Sequence, residues 1–359
     1  MISCSGVQRE IGANEQIVLS DEQKKQIKKL TPVFISDTVP NDSDDPAIWI
    51  HPEDPSLSLI IGTDKKTNGG LYVFNIKGEI IPSKTVAPLD RPNNVDVGYG
   101  LEINGISTDI AVTTERNTGK IRVFALPSME AIDNGGIKVF EGEEHQSPMG
   151  IALYKDPNNA KMYAIVGRKD GPEDGYLWQY ELLGTETGSV EATFIRAFGK
   201  YSGKKEIEAI AVDKYLGYVY YSDEQYGVRK YHADPNMGNE ELALFATEGF
   251  TADQEGISIY YVNETQGYIL VSDQQANCFH IFTREGTKEN PHEHHLAKII
   301  HTSTLESDGS EMASVAINPH FPYGLFVAMS TDKTFHYYSW EDIAGSELRM
   351  IPTQPVVKN

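Results

Sequence analysis

Six similar units follow one another along the chain, and this repeat constrains the fold more than any other feature of the sequence. Each unit has an apolar first segment, a second segment that ends in polar residues, and a third segment rich in aromatic residues. One aromatic residue recurs late in the third segment, at spacings of 50, 56, 51, 51 and 56 residues: Phe74, Phe124, Tyr180, Tyr231, Phe282 and Tyr338. Three or four short strands repeated at this period are typical of the blades of a β-propeller.

The pattern therefore predicts an all-β fold, a single-domain six-bladed β-propeller over residues 31–359. The first strands are predicted at 46–50, 94–98, 149–154, 208–212, 255–261 and 312–317. The second strands are predicted at 59–64, 109–115, 163–169, 218–224, 268–274 and 324–330, and the third at 70–76, 120–126, 175–182, 227–233, 277–284 and 334–340. Fourth strands are expected at 193–198, 242–246 and 298–301. Little sequence remains for one in the last blade, so residues 32–36 are predicted to supply it and to close the ring by pairing the N- and C-terminal strands.

The residues before the repeat differ in character. Residues 1–19 are polar and lack periodicity, which predicts a flexible leader. Ser20-Asp21-Glu22-Gln23 has the form of a capping box and predicts a short helix over residues 20–30. The segment 1–6 resembles the end of a bacterial lipoprotein signal whose hydrophobic part is absent from the sequence. That resemblance implies a lipid anchor at Cys4 and an exported bacterial protein, either a periplasmic or cell-surface lipoprotein or a secreted one. The alternative is an ordinary N-terminus with a free cysteine.

Composition excludes several classes of function. The formal net charge of −21 argues against nucleic-acid binding, because no broad basic surface is available to release counterions. Two cysteines, Cys4 and Cys278, exclude a disulfide framework and a cysteine-based zinc site. No apolar run is long enough for a transmembrane segment. We expect a monomer.

Polar residues recur where the propeller geometry would bring them together. The second strand of a blade runs antiparallel to the first, so the start of strand one and the end of strand two lie on the same face. The starts carry Asp44, Asp45, Asn93, Asn94, Asp96, Glu206, Glu208, Asp253, Glu255, Asp308 and Glu311. The ends carry Asp64, Lys65, Lys66, Glu115, Arg116, Arg168, Lys169, Asp170, Asp223, Glu224, Asp273 and Gln274. Each alone is an ordinary strand-end residue; jointly they predict an acidic face with a few cations.

This combination of residue types indicates a chemistry. Carboxylate and amide oxygens without cysteine favour a hard cation, calcium before magnesium. Lys65, Lys66, Arg116 and Lys169 on the same face would bind an anion, and arginine suits phosphate. Metal ions together with lysine and arginine around one pocket indicate phosphoryl-transfer chemistry.

Two motifs, 44–49 (Asp-Asp-Pro-Ala-Ile-Trp) and 93–97 (Asn-Asn-Val-Asp-Val), resemble those of the β-propeller (alkaline) phytases. These are calcium-dependent phosphatases that act on the small anionic ester myo-inositol hexakisphosphate (phytate). Segments 64–66, 115–117, 207–209, 223–224, 253–256, 272–274 and 321–327 support the resemblance, which covers residues 36–345.

The resemblance implies roles for individual residues. It implies Ca²⁺ bound by Asp44, Asp45, Asn94, Asp96, Glu208, Glu224, Asp253, Glu255 and Asp308. It implies catalytic roles for Lys65, Arg116, Lys169, Asp170 and Glu208, and substrate contacts from Lys65, Lys66, Arg116, Lys169 and Gln274. The implied mechanism is attack of a calcium-bridged water on phosphorus.

The chain departs from the family pattern in places. Met149 stands where a phosphate-contacting tyrosine is usual, and Asp170 where a glutamate is usual. The acidic tracts at 302–306 and 329–332 are reduced. Fewer calcium sites, weaker calcium affinity and a shifted substrate preference are all compatible with these changes.

Other interpretations remain open at this point. A non-catalytic calcium-binding propeller could hold a ligand or partner at its acidic face, and Met149 favours that alternative. A calcium lactonase-like propeller hydrolase is a third alternative. It would need a metal-bound water but not several lysines and arginines, so Lys65, Lys66, Arg116 and Lys169 argue against it. The segment 292–295 (His-Glu-His-His) has the composition of a transition-metal site but is expected to be a solvated loop, and Cys278 a buried small hydrophobe.

Overall fold

Six small sheets, antiparallel except at one added edge strand, are arranged in a ring and form a six-bladed propeller in the computed structural model, which describes residues 28–352. Two short strands, β1 (Lys29–Leu30) and β2 (Phe34–Ile35), precede the first blade. Blade one contains β3 (Ser43–Trp49), β4 (Leu59–Asp64), β5 (Thr67–Phe74) and β6 (Val86–Asp90). Blade two contains β7 (Pro92–Ile103), β8 (Ile106–Glu115), β9 (Lys120–Leu126), β10 (Glu130–Ala131) and β11 (Ile137–Lys138).

The remaining blades follow in chain order. Blade three contains β12 (Pro148–Lys155), β13 (Met162–Arg168), β14 (Asp174–Gly184) and β15 (Val190–Lys200). Blade four contains β16 (Ile210–Asp213), β17 (Tyr218–Asp223), β18 (Gly227–His232) and β19 (Ala243–Phe245). Blade five contains β20 (Gln254–Tyr261), β21 (Gly267–Asp273), β22 (Cys278–Thr283) and β23 (Leu296–Thr302). Blade six contains β24 (Ser310–Ala313), β25 (Leu325–Ser330) and β26 (Thr334–Ser339), followed by helix α1 (Trp340–Ala344).

The predicted closure of the ring is confirmed. Strand β2 pairs antiparallel with β26, with Phe34 opposite Tyr337. The sixth sheet is thus completed by residues from the start of the chain, so opening blade six would require separating two distant segments. Ser43 adds a further link, since its hydroxyl donates to the carbonyl of Ser330 at 2.8 Å.

The predicted N-terminal helix is wrong for its last residues, which are the part of it that the structure describes. Lys29 and Leu30 form β1, which runs parallel to β23 with Lys29 opposite His301. The exposed edge of blade five offers unpaired backbone groups, and β1 pairs with them although the capping-box pattern had predicted a helix that included this segment. The rest of that helix, the leader 1–19 and Cys4 lie outside the described residues.

The bounds of every first strand differ from the prediction, and two of these strands fall short of it by two residues or more. In blade six the strand is Ser310–Ala313 and stops before the predicted end at 317. The Ser314 hydroxyl instead accepts a hydrogen bond from the backbone N–H of Tyr261 at 2.8 Å, which joins the chain to blade five. In blade four the strand begins at Ile210, so Glu208 precedes it.

The core consists of apolar layers between neighbouring blades, not one central cluster. The repeated aromatic residues lie in these layers, and all six are buried: Phe74, Phe124, Tyr180, Tyr231, Phe282 and Tyr338. Each sheet is covered on one face by the preceding blade and on the other by the following blade. A single blade alone therefore cannot bury its apolar surface. Within residues 28–352, no helix has the length and apolar character needed to cross a bilayer.

Candidate active site

One face of the ring gathers charged residues from blades that are far apart in sequence. The ammonium group of Lys65, just after β4, lies 2.6 Å from Oδ1 of Asp44 in β3 and 2.5 Å from Oδ2 of Asp308, which precedes β24. Asn93 extends the group, because its side-chain nitrogen lies 3.0 Å from Oδ2 of Asp44 and 2.5 Å from Oε1 of Glu208. We call Asp44, Lys65, Asn93, Glu208 and Asp308 the Lys65 cluster.

The electrostatics of the Lys65 cluster are dominated by buried negative charge. Burial raises the pKa of Asp44 and of Glu208, and the Lys65 ammonium opposes that rise. Burial alone would lower the pKa of Lys65, but Asp44, Glu208 and Asp308 raise it well above its ordinary value. Lys65 is therefore a fixed cation, and the three surrounding carboxylates exceed what its single charge can neutralise.

A second acidic group lies beside the first. Carboxylate oxygens of Glu224, Asp253 and Glu255 lie within 4.8 Å of one another, and so do those of Glu206, Glu208 and Glu224. Lys205 Nζ lies 2.6 Å from Glu224, 2.8 Å from Asp253 and 3.3 Å from Glu255. We call Lys205, Glu224, Asp253 and Glu255 the Lys205 cluster. Since Glu224 lies within reach of Glu206 and Glu208, the two clusters form one continuous acidic arc.

Carboxylates of the Lys205 cluster differ in how they are compensated. Burial raises the pKa of Glu224 to about 8 and raises that of Glu255 well above its ordinary value. For Asp253, hydrogen bonds from Lys205, Gln225 and Gln275 outweigh the effect of burial and lower the pKa. Oε1 of Glu224 and Oε2 of Glu255 are buried without a hydrogen-bond partner among residues 28–352.

Positively charged and amide side chains border the acidic arc. Arg116 opens a single 3₁₀ turn after β8, and Gly119, with φ of +67°, ends that turn in the left-handed conformation that glycine tolerates best. The guanidinium contacts the sulfur of Met149, and its Nε is buried without an acceptor in the described part of the chain. Burial lowers the pKa of Arg116. A guanidinium that has a buried nitrogen without an acceptor favours an anion as its partner.

The other predicted substrate and catalytic residues occupy different environments. Lys169 contacts Glu206, and Gln274 donates to Asp308 from the 3₁₀ turn after β21. Lys66 is 55% exposed and pairs with Asp42 at 2.7 Å, at the outer margin of the site. Asp170 is exposed directly after Lys169. The structure thus brings Lys65, Arg116, Lys169 and Gln274 to the acidic arc and leaves Lys66 and Asp170 farther out.

Three predicted metal ligands lie in the channel and not in the arc. Asp45, Asn94 and Asp96 line a central cavity of about 910 Å³ together with Glu311. Asp45 accepts a hydrogen bond from the N–H of Val95 at 3.0 Å, and Asp96 accepts one from the N–H of Leu153 at 2.6 Å. Each carboxylate therefore ties its own first strand to that of the next blade. Burial raises the pKa of Asp96 to about 6 and that of Glu311 to about 8.

Sequence comparison identifies the family of the chain. The profile of the family described as Phytase matches residues 11–346. The chain belongs to the phytase family. A curated relative, the 3-phytase of Bacillus subtilis (strain 168), is 31% identical over 324 residues, which cover 84% of this chain and 80% of that protein. Membership makes this chain a phytase-type hydrolase, as the sequence motifs predicted.

A solved structure shares the propeller architecture at low identity. Hydrazine synthase of Kuenenia stuttgartiensis superposes with a TM-score of 0.50 at 12% identity, over 82% of this chain and 83% of that one. This likeness concerns the fold alone.

The acidic arc of this phytase fits a bound cation. Orphaned buried oxygens on Glu224 and Glu255 carry a large desolvation cost unless positive charge compensates them. The donor set contains oxygen only, which suits a hard divalent ion. Glu224, Asp253 and Glu255 would hold one ion, and Glu206 and Glu208 lie close enough to contribute to a neighbouring one.

Two further groups with metal-binding composition have other roles. Asp273, Cys278 and His280 lie close together in blade five, but both carboxylate oxygens of Asp273 accept from the N–H of Thr251, at 3.2 and 3.0 Å. In the loop 292–295, His294 is not solvated as expected. The centroid of its ring lies 4.6 Å from that of Phe245 with the two planes tilted by 39°, and its Nδ1 lies 2.8 Å from the carbonyl oxygen of Thr283.

Sequence reasoning missed Lys205 and gave no role to Asn93. Lys205 belongs to the segment Lys204-Lys205-Glu206 directly before the first strand of blade four. No other first-strand start in the sequence carries two adjacent basic residues, and this pair was the available signal. Asn93 precedes Asn94 within the family motif and is fully buried. Its amide nitrogen lies within hydrogen-bond distance of Asp44, Asn94 and Glu208.

Proposed function

We propose that this chain is a calcium-dependent phosphomonoesterase that hydrolyses phytate by attack of water on phosphorus. The observation that carries the proposal is the meeting of Lys65 with Asp44 and Asp308 at 2.6 and 2.5 Å, beside Arg116 and the rest of the acidic arc. Buried carboxylates and cations in one site match a substrate whose phosphates need both metal ions and direct cationic contacts. The similarity to the 3-phytase of Bacillus subtilis supports the choice of phytate.

In this proposal, different residues of the chain bind the phosphate groups and orient the attacking water. Arg116 offers a planar guanidinium whose Nε has no acceptor among the described residues, and it binds a phosphate through two parallel hydrogen bonds. Lys65, Lys169 and Gln274 contact carboxylates in the structure. When a phosphate ester binds, they exchange part of these contacts for contacts with further phosphate oxygens. Glu208, buried beside Lys65 and Asn93, orients the attacking water.

Calcium is the ion we propose for the acidic arc. Calcium ions bound there would neutralise phosphate charge and lower the pKa of a coordinated water. Calcium accepts more oxygen ligands in more flexible geometry than magnesium does, which suits carboxylates drawn from separate blades. Asp45, Asn94 and Asp96 would hold a further ion in the channel beside Glu311.

Phosphate release from phytate tests the proposal. The chain is stripped of metal, then assayed at neutral and alkaline pH with calcium, with magnesium, and with a calcium chelator. We expect release with calcium, little with magnesium, and none with chelator. Glu208→Gln provides a matched variant that keeps the shape of the side chain and should lose turnover.

Two outcomes would contradict the proposal. Absence of phosphate release with calcium at every pH, in protein shown to bind calcium, would favour a propeller that binds a ligand without turnover. Equal activity with chelator and with calcium would exclude a calcium requirement.

A further inference from the structure

The ammonium group of Lys205 occupies the centre of a site composed for a metal ion. It lies within 3.3 Å of three carboxylates, on Glu224, Asp253 and Glu255, which come from two different blades. Those carboxylates are buried, with relative exposures of 0% for Glu224 and 3% for Glu255. A single charge at that point therefore takes the place that a divalent ion would occupy.

The way Lys205 is attached allows it to leave. It lies in the segment between β15 and β16, and its backbone carbonyl accepts a hydrogen bond from the hydroxyl of Tyr201. Its side chain is 34% exposed, so the four-carbon stem can turn towards solvent without unfolding of the segment. A lysine ammonium is a flexible, strongly hydrated point charge and loses little by returning to water.

Two observations show that one ammonium does not complete the site. Oε1 of Glu224 and Oε2 of Glu255 keep no hydrogen-bond partner among the described residues even with Lys205 in place. Three carboxylates face one positive charge, and Glu206 and Glu208 lie close by. The site therefore stays electrostatically under-compensated and retains attraction for a divalent cation.

We propose that Lys205 is a tethered counter-cation that fills the Glu224–Asp253–Glu255 site when metal is absent and must be displaced when a metal ion binds there. The inference rests on the proposed function, because it takes calcium to be the competing ion. Lys205 thus keeps the metal-free fold stable and weakens calcium binding at this one site. Because Lys205 competes with calcium, a higher calcium concentration is needed to fill the site than the carboxylates alone would require.

Calcium titration of metal-stripped protein tests this competition directly. Isothermal titration calorimetry is compared for the wild type, Lys205→Met and Lys204→Met. Lys204 is a matched control, because it is the preceding residue but its ammonium donates to the carbonyl of Gln225 at 2.9 Å and touches no carboxylate of the cluster. We expect one binding event of Lys205→Met to be tighter by at least about tenfold, and that of Lys204→Met to match the wild type.

Thermal stability provides a readout independent of binding heats. Without metal, Lys205→Met should melt at a lower temperature than the wild type, because three buried carboxylates lose their cation. With calcium its melting temperature should recover to the wild-type value or above it. Lys205→Arg keeps the charge and should retain the weaker, wild-type calcium affinity.

Chemical modification of the wild type covers the case in which Lys205→Met does not fold. Amines are acetylated with and without calcium, and the modified lysines are identified by mass spectrometry. Lys205 should react several-fold faster with calcium bound, whereas Lys204 should react equally in both conditions. Equal reactivity of Lys205 in calcium and in chelator would overturn the inference.

The outcomes separate this inference from the proposed function. If the wild type binds no calcium and releases no phosphate, the proposed function fails. If the wild type binds calcium and hydrolyses phytate while Lys205→Met has the same affinities and the same calcium-induced stabilisation, only the role of Lys205 fails.

Discussion

Nζ of Lys65 lies 2.5 Å from Oδ2 of Asp308, and 243 residues of chain separate the two. Lys65 follows the second strand of blade one, and Asp308 precedes the first strand of blade six. These two blades are neighbours in the closed ring, where β2 completes the sixth sheet and an apolar layer packs between blades one and six. This ion pair therefore forms at the closure of the fold, and the same contact would serve both stability and the proposed substrate binding.

Replacement of Lys65 by methionine should reduce both properties. Asp44 and Asp308 would lose their cation, and an unpaired buried carboxylate costs about 3 kcal/mol or more in the free energy of unfolding. We expect phosphate release from phytate to fall at least about 100-fold. Urea unfolding and steady-state kinetics measure the two effects. Lys138→Met is the control, since that lysine is 67% exposed and lies 3.8 Å from Glu141. Wild-type activity in Lys65→Met would remove this residue from the phosphate site.

Arg116 and Arg122 should respond oppositely to truncation. Arg116 has no carboxylate partner among the described residues, so Arg116→Ala should lower kcat/KM by about 100-fold to 1000-fold with little change in melting temperature. Arg122 pairs with Asp133 at 2.7 Å and lies 3.9 Å from Glu115, neither of which belongs to the acidic arc, so Arg122→Ala should lower the melting temperature and largely spare kcat/KM. Full activity of Arg116→Ala would show that the phosphate-binding assignment is wrong.

Removal of calcium should destabilise the native state. Ligands that bind only the folded chain stabilise it by mass action, by about 2.7 kcal/mol at a concentration one hundred times the dissociation constant. The melting temperature should therefore fall on chelation and recover with added calcium. Glu255→Gln should reduce that recovery, whereas Glu79→Gln, at an exposed turn with Asn75, should not. An unchanged melting temperature in chelator would argue that the acidic arc holds no calcium.

His294 should make stability depend on pH in a defined window. Burial, followed by the nearby Lys230 ammonium, lowers the pKa of His294 from 6.5 to about 4. Between these values the unfolded chain binds the proton and the folded chain does not, so the stability that neutral His294 contributes is lost as pH falls from 6.5 towards 4. We expect the free energy of unfolding to drop about 2 kcal/mol more in the wild type than in His294→Gln.

The comparison with His294→Gln isolates this residue, because the acidic arc titrates in both proteins. Chemical denaturation at several pH values measures the difference. Parallel pH profiles for the two proteins would show that His294 does not titrate in this window.

Local pattern was sufficient to predict most of the architecture. The six buried aromatic residues at a regular spacing identified the blades, and strands β4 and β9 match their predicted bounds. Acid at the starts of first strands predicted which face would be charged, since antiparallel neighbours bring those ends together. These features depend on alternation and period, which are properties of short segments.

Pairing within the site could not be predicted in the same way. Asn93 reaches Glu208 across 115 residues, and which lysine meets which carboxylate depends on the closed ring and on individual side-chain rotamers. Lys205 lies outside the motifs that carried the family resemblance. Only the folded chain places its ammonium among three carboxylates.

The sequence by itself determined a six-bladed propeller with an acidic, cation-bordered face, because strand periodicity and strand-end chemistry are written locally. Only the tertiary structure decided that Asp45 and Asp96 point into the channel, that β1 adds to blade five, and that Lys65 and Lys205 each neutralise part of the acidic arc. Those arrangements come from contacts between distant segments, whose geometry is set when the first and last strands pair and the ring closes.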